Sequence, residues 1–280
     1  GQYVLNLTIP AVRDFIVDML DGLLSENAID YVKWDANRPM SQVGAQRDVW
    51  YRHIAGLYEI VAEVKRRHPG VLIEACASGG GRIDFGSLGV FDDFWTSDNT
   101  DALDRLEIQR AYSLVYPPRA MRAWVTDVPN FLSQRGIPLQ FRFHSAMLGS
   151  LGIGCDLTRM TDDELSKAAR FVREYKELRP LMRRFHRLEN PSANDYRLFQ
   201  YSSPAGAVLF AFLPASRLGH KPTTVRLRGL DSQARYRFTH DWQAREASGE
   251  YLMNRGLRVW LQGDYASTVM RFDRVTEDRG

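Results

Sequence analysis

The chain has 280 residues, and its 37 Lys and Arg against 34 Asp and Glu leave a formal charge of +3. No dense basic field is available to track a nucleic-acid backbone, and no run nears the ~20 consecutive apolar residues that span a membrane. With 44% hydrophobic and 11% aromatic residues the chain can bury a core, which excludes a disordered polymer, and a length near twice ~150 residues suggests two domains.

In chain order, GQYVLNLTIP at the N-terminus has neither a basic start nor a short apolar core, so no signal peptide is read there. IDYVKWD (29–35) is the first strand-like run, and the spacing of Ile54, Leu57, Ile60, Val61 and Val64 predicts a helix over 45–67. GVLIEACAS (70–78) is a second strand that runs into Gly79, Gly80 and Gly81. DFWTSD (93–98) is a third, followed by a helix over 101–115. RAMRAWVTD (119–127) and SLGIGCDL (150–157) repeat the theme around a helix at 139–149, and the Thr161-x-x-Glu164 capping box announces a helix over 162–179. This alternation predicts an α/β fold with parallel strands. About five strand-helix units fall short of the eight, over ~250 residues, that close a (β/α) barrel, so a partial TIM-type barrel and a smaller open sheet both fit.

After Pro191 the texture changes. YRLFQYSS, GAVLFAFLP, TTVRLRGL, ARYRFTHDW, LRVWLQG and YASTVMRF alternate apolar and polar residues between Gly, Pro and Ser, which predicts an antiparallel β-sandwich domain. The expected domains are therefore 1–184 and 185–280, with a frayed tail at 273–280. Cys76 and Cys155 supply neither a disulfide framework nor four metal ligands, so a reducing, cytoplasmic setting is expected.

The polar residues gather at strand ends, the face that carries chemistry in parallel barrels: Lys33 and Asp35, Cys76 and Ser78, Ser97 and Asp98, Thr126 and Asp127. Asp35 follows Trp34 and Lys33; it reads either as an ionised, poorly solvated nucleophile or as a loop cap paired with Lys33. Asp98 reads as a helix N-cap or as the partner carboxylate of a glycoside-cleaving pair. Asp101 and Asp104 fall in a first helical turn, where the macrodipole favours anions, and read as structural. Trp34, Trp95 and Trp124 could offer faces to sugar rings or be ordinary core. The turn Cys76-Ala-Ser-Gly-Gly-Gly-Arg82 lacks the spacing of a nucleotide loop, and its glycines admit close approach of a ligand to backbone. HExxH, CxxC and GxSxG are absent.

IDYVKWDAN (29–37), EACASGGGRIDFGSL (74–88), FWTSDNTDALDRLEIQRAYSLVYP (94–117) and AMRAWVTDVPN (120–130) closely resemble, in order and spacing, the catalytic barrel of the α-galactosidases of glycoside hydrolase family 36. LGSLGIGCDL (148–157) and GEYLMNRGL (249–257) resemble that family's last barrel strand and C-terminal β-domain. The resemblance implies a retaining glycosidase of terminal α-galactosides, with Asp35 as nucleophile and Asp98 as general acid/base. It further implies that Lys33, Cys76, Ser78 and Gly79 contact galactose hydroxyls, and that Asn37 completes the first motif. No metal or organic cofactor is called for, and the implied partners are α-galactoside oligosaccharides, with a homo-oligomer in prospect and neither nucleic acid nor membrane. Nothing here matches the family's N-terminal β-domain or its first barrel strands, so the chain is expected to be a fragment with weak activity in isolation. A raffinose-synthase-like α-galactosyl transferase and a non-catalytic carbohydrate-binding remnant are the competing readings.

Overall fold

A computed structural model of the chain describes residues 3–275 apart from 42, 46 and 189–195. The chain divides into two units, Gly1–Asp98 and Asn99–Gly280. In the first, α1 (Pro10–Glu26) precedes β1 (Tyr31–Asp35), α2 (Val49–Arg67), β2 (Leu72–Cys76) and β3 (Asp93–Trp95). β1 and β2 run parallel with Lys33 opposite Glu74 and Asp35 opposite Cys76. β2 and β3 are also parallel, with Glu74 opposite Asp93. α2 buries Leu57, Ile60, Val61 and Val64, as its spacing predicts, while Ile54 stays 38% exposed. Lys65, Arg66 and Arg67 in its last turn complement the negative end of the helix dipole.

Sequence reading missed α1. Its start carries Pro10 in the first turn, where the missing N–H costs nothing, but apolar residues lie all round it and hide the period. Ile16, Val17 and Leu24 are buried, whereas Phe15, Met19 and Leu23 form an exposed i, i+4 stripe. Arg67 and His68 of the α2 end hold Asp21 of α1 at 2.9 and 2.7 Å.

The second unit continues with α3 (Asp104–Ser113), β4 (Met121–Val125), α4 (Leu139–Ala146), β5 (Ser150–Ile153) and α5 (Asp162–Leu178). β4 and β5 are parallel, so five parallel strands alternate with helices along the chain, as in part of a (β/α) barrel. The predicted capping box is present at α5: Thr161 accepts from the Glu164 N–H, and Glu164 accepts from the Thr161 N–H. Buried Asp101 accepts from the Leu103 and Asp104 N–H groups at 3.0 Å and pairs with Arg135 at 2.8 Å, the structural role its position suggested.

Then come β6 (Arg184–His186), β7 (Arg197–Ser203), β8 (Gly206–Leu213), β9 (Thr223–Val225), β10 (Arg235–His240), β11 (Gln243–Ser248), α6 (Gly249–Asn254), β12 (Leu257–Val259) and β13 (Ala266–Arg274). Six of these strands form one antiparallel sheet in the order β11-β10-β13-β8-β7-β6, and β12 pairs with β9. Every residue of β8 is buried because both faces of the sheet are covered. Val208, Phe210 and Phe212 pack with Phe141, Phe143 and Phe171 of α4 and α5, while Leu209, Ala211 and Leu213 pack with Val225, Leu257 and Val259. The predicted frayed tail is corrected in part: β13 extends through Arg274, and residues 276–280 lie outside the described residues, as does the texture change at Pro191.

α4 is tied to β13 by His144, whose Nδ1 lies 2.9 Å from the Ser267 hydroxyl. Burial, reinforced by the Arg170 charge, pushes the His144 imidazole down from 6.5 to about 3. The unfolded chain therefore binds this proton below pH 6.5 and the folded chain does not. His144 contributes stability above that pH that is lost as the pH falls toward about 3. The unfolding free energy from urea titration should decline across this window at a slope of up to about 1.4 kcal/mol per pH unit, and His144→Gln should flatten it. An unchanged slope in the variant would assign the acid sensitivity elsewhere.

Candidate active site

Strand alternation sends Tyr31, Lys33 and Asp35 of β1 to one face, where they meet Glu74 and Cys76 of β2 and Asp93 and Trp95 of β3. Asp35 is exposed and held from two sides: the Ala36 N–H donates to Oδ1 at 2.9 Å and Asn37 Nδ2 donates to Oδ2 at 2.6 Å. Asn37 Oδ1 in turn accepts from the Ser78 N–H at 2.8 Å, so the first motif is tied directly to the glycine-rich turn. Burial pushes the Asp35 carboxyl up, but hydrogen bonds from the Cys76 thiol, Asn37 and Ala36, with the Lys33 charge, outweigh it and hold it below 3.8. Cys76 is 2% exposed; burial pushes its thiol up, its bond to Asp35 adds to that, and the sulfur stays a protonated donor.

The turn itself demands its glycines and one left-handed serine. Ser78 has φ 47° and Gly79 has φ 87°. A Cβ on Gly79 would stand 3.0 Å from the Ser97 Cα and 3.4 Å from the Asp98 N, so the turn rests against the backbone that presents Asp98. Asp98 is exposed, and its Oδ1 accepts from Trp95 Nε1 at 2.8 Å. It is not a helix cap: Leu103 occupies that position at α3, and Asp101 receives the first helical N–H groups.

Two expectations about neighbours change. Lys33 Nζ lies 3.1 Å from Glu74 Oε1 and 4.4 Å from the Trp95 ring centroid, so its ion pair is with Glu74 while its charge still helps hold the Asp35 carboxyl down. Trp95 is 3% exposed with Lys33 over its face, so it offers no open platform to a sugar. Trp34 is half-buried and lines a cavity of about 640 Å³ with Asp35, Asn37, Ala77, Gly81 and Arg82, whose walls do not include Asp98. Sequence reading missed Glu74, which is fully buried and accepts a hydrogen bond from the Tyr31 hydroxyl. The signal was there in principle: in IDYVKWD and GVLIEACAS the residues in one alternate register near the strand ends, Tyr31, Lys33, Asp35, Glu74 and Cys76, bear polar or titratable groups.

The arrangement brings two exposed carboxylates of one unit to the same end of parallel strands, Asp35 held by the Ala36 and Asn37 donors and Asp98 by Trp95 Nε1, with Asn37 tied to the glycine-rich turn that packs against the Asp98 backbone. A Melibiase model matches residues 1–184, and a model of the glycosyl hydrolase family 36 C-terminal domain matches residues 198–272. The chain belongs to glycoside hydrolase family 36. A probable α-galactosidase C from Aspergillus flavus is 39% identical over 275 residues, 96% of this chain and 36% of that protein. The crystal structure of the family 36 α-galactosidase AgaA from Geobacillus stearothermophilus superposes with a TM-score of 0.89 at 34% identity, over 97% of this chain and 39% of that one. The α-galactosidase from Lactobacillus brevis superposes with a TM-score of 0.88 at 30% identity, over 100% and 40%. The chain thus spans well under half the length of the relatives it matches. Variants of AgaA have been solved in complex with raffinose and with stachyose.

Proposed function

We propose that the polypeptide carrying this chain is a retaining α-galactosidase acting on terminal α-galactosides of the raffinose and melibiose type, with the barrel segment over 1–184 and the β-domain over 185–280. The observation that carries the reading is that Asp35, at the end of β1, and Asp98, three residues beyond β3, are linked within one unit through Asn37, Ser78 and the Gly79 turn that packs against the Asp98 backbone. In the first step the Asp35 carboxylate attacks the anomeric carbon, the glycosidic C–O bond breaks, and the departing oxygen takes the proton of Asp98. In the second, the Asp98 carboxylate takes a proton from water, the water oxygen bonds to the anomeric carbon, and the bond to Asp35 breaks. Asp35 held below 3.8 is ionised for the first step throughout the neutral range.

Lys33, Asn37, Cys76, Ser78 and Gly79 are assigned to the galactose hydroxyls. Raffinose and stachyose in the AgaA complexes support the substrate class. The test has two parts. Proton NMR of melibiose cleavage should show α-galactose as the first product, and an activated difluoro-galactoside should leave a galactosyl adduct on the peptide containing Asp35. First-formed β-galactose, or an adduct on another residue, would refute the assignment.

A further inference from the structure

On the reading of Asp98 as the acid/base, we propose that Trp95 is a positioning residue that decides which Asp98 oxygen carries the transferred proton. The indole Nε1–H donates to Oδ1 at 2.8 Å, and among the described residues no hydrogen bond is made to Oδ2. Both oxygens of a protonated carboxyl carry lone pairs, but the carbonyl oxygen is the stronger acceptor, so the indole bond favours the protonated form with Oδ1 as the carbonyl-type oxygen and the proton on Oδ2. As that proton passes to the glycosidic oxygen and the C–O bond breaks, negative charge grows on the carboxylate. The Trp95 bond then changes from neutral to charge-assisted and strengthens in the transition state relative to the ground state.

The indole is itself clamped. It is 3% exposed, Lys33 Nζ stands 4.4 Å from its centroid, and Lys33 is anchored on fully buried Glu74 at 3.1 Å. Rotating Trp95 away from Asp98 would give up the contact with the cation as well as the hydrogen bond. Glu74, Lys33 and Trp95 therefore form one chain of contacts that ends on the acid.

The experiment compares kcat/KM for melibiose, whose leaving group needs protonation, with that for 4-nitrophenyl α-galactoside, whose leaving group hardly does, in the natural polypeptide that carries this sequence. Trp95→Phe should lose about tenfold on melibiose, the worth of one hydrogen bond to a charged group, and under about twofold on the aryl substrate. Replacing Trp95 by benzothienylalanine, which keeps the shape and lacks the N–H, should reproduce the split where Phe disturbs folding. Equal losses on both substrates, or none on melibiose, would overturn the role of Trp95. Asp98→Asn measured alongside separates the two ideas. A loss that rises steeply with leaving-group basicity upholds Asp98 as acid. A uniform loss sinks that assignment and the role of Trp95 with it.

Discussion

Asp35→Asn is expected to lower α-galactoside turnover by at least about 10³-fold while leaving the fold intact. The substitution keeps the volume and the acceptor at one oxygen, so the Ala36 N–H retains a partner. What disappears, on the proposed role of Asp35, is the anionic oxygen that would bond to the anomeric carbon. The second position presents an NH₂ group toward Asn37 Nδ2, which now faces a donor, and the link to Ser78 slackens. Steady-state hydrolysis of an aryl galactoside reads the first effect, and an unfolding free energy within about 1 kcal/mol of the parent reads the second. Retention of more than a tenth of the activity would remove Asp35 from the chemistry. The same carboxyl sets a pH expectation: held below 3.8, it is protonated only in strong acid, and any stability its ionised form contributes is lost only as the pH falls through that depressed value. The acid limb of activity assigned to this group should accordingly lie below pH 4.

Glu74→Leu is the second large effect, on stability and substrate affinity together. The carboxylate is fully buried, 3.1 Å from Lys33 Nζ, and accepts from the Tyr31 hydroxyl. Removing one partner of a buried pair strands the other, at a cost of about 3–5 kcal/mol where both are enclosed. Lys33 is 31% exposed and regains some water, and Tyr31 keeps Asp93 as acceptor at 3.1 Å, so about 2–3 kcal/mol is the expected loss in urea unfolding. Released from Glu74, Lys33 no longer holds its place over the Trp95 ring, and on its proposed role at the galactose hydroxyls KM for galactosides should rise more than kcat falls. Glu74→Gln, which keeps an acceptor, should recover most of the stability and less of the affinity. A Leu variant as stable as the parent would show that Lys33 is indifferent to this anchor.

The strand runs ending at Asp35 and Cys76, the α5 capping box and the alternating runs of the β-domain were legible along the chain because each is a local pattern, whereas the run expected over 93–98 forms a strand only over Asp93–Trp95 and leaves Asp98 in the loop beyond it. Apolar side chains of period two make strands, Thr161 and Glu164 satisfy N–H groups one turn away, and the polar residues follow immediately where the strands stop. α1 was illegible because apolar residues surround it, and β11 because QAREAS has no strand preference of its own and is formed by pairing residue for residue with β10. The partners of Lys33 were equally out of reach. Sequence places it two residues from Asp35, whereas the register of β1 on β2 sets it opposite Glu74, and the neighbouring β3 brings the Trp95 ring beneath it. Residue identity along one strand determined which groups face the site. Which of them touch was decided only by pairing between strands far apart in the chain, since hydrogen-bond register, a property of two segments at once, places side chains across the sheet.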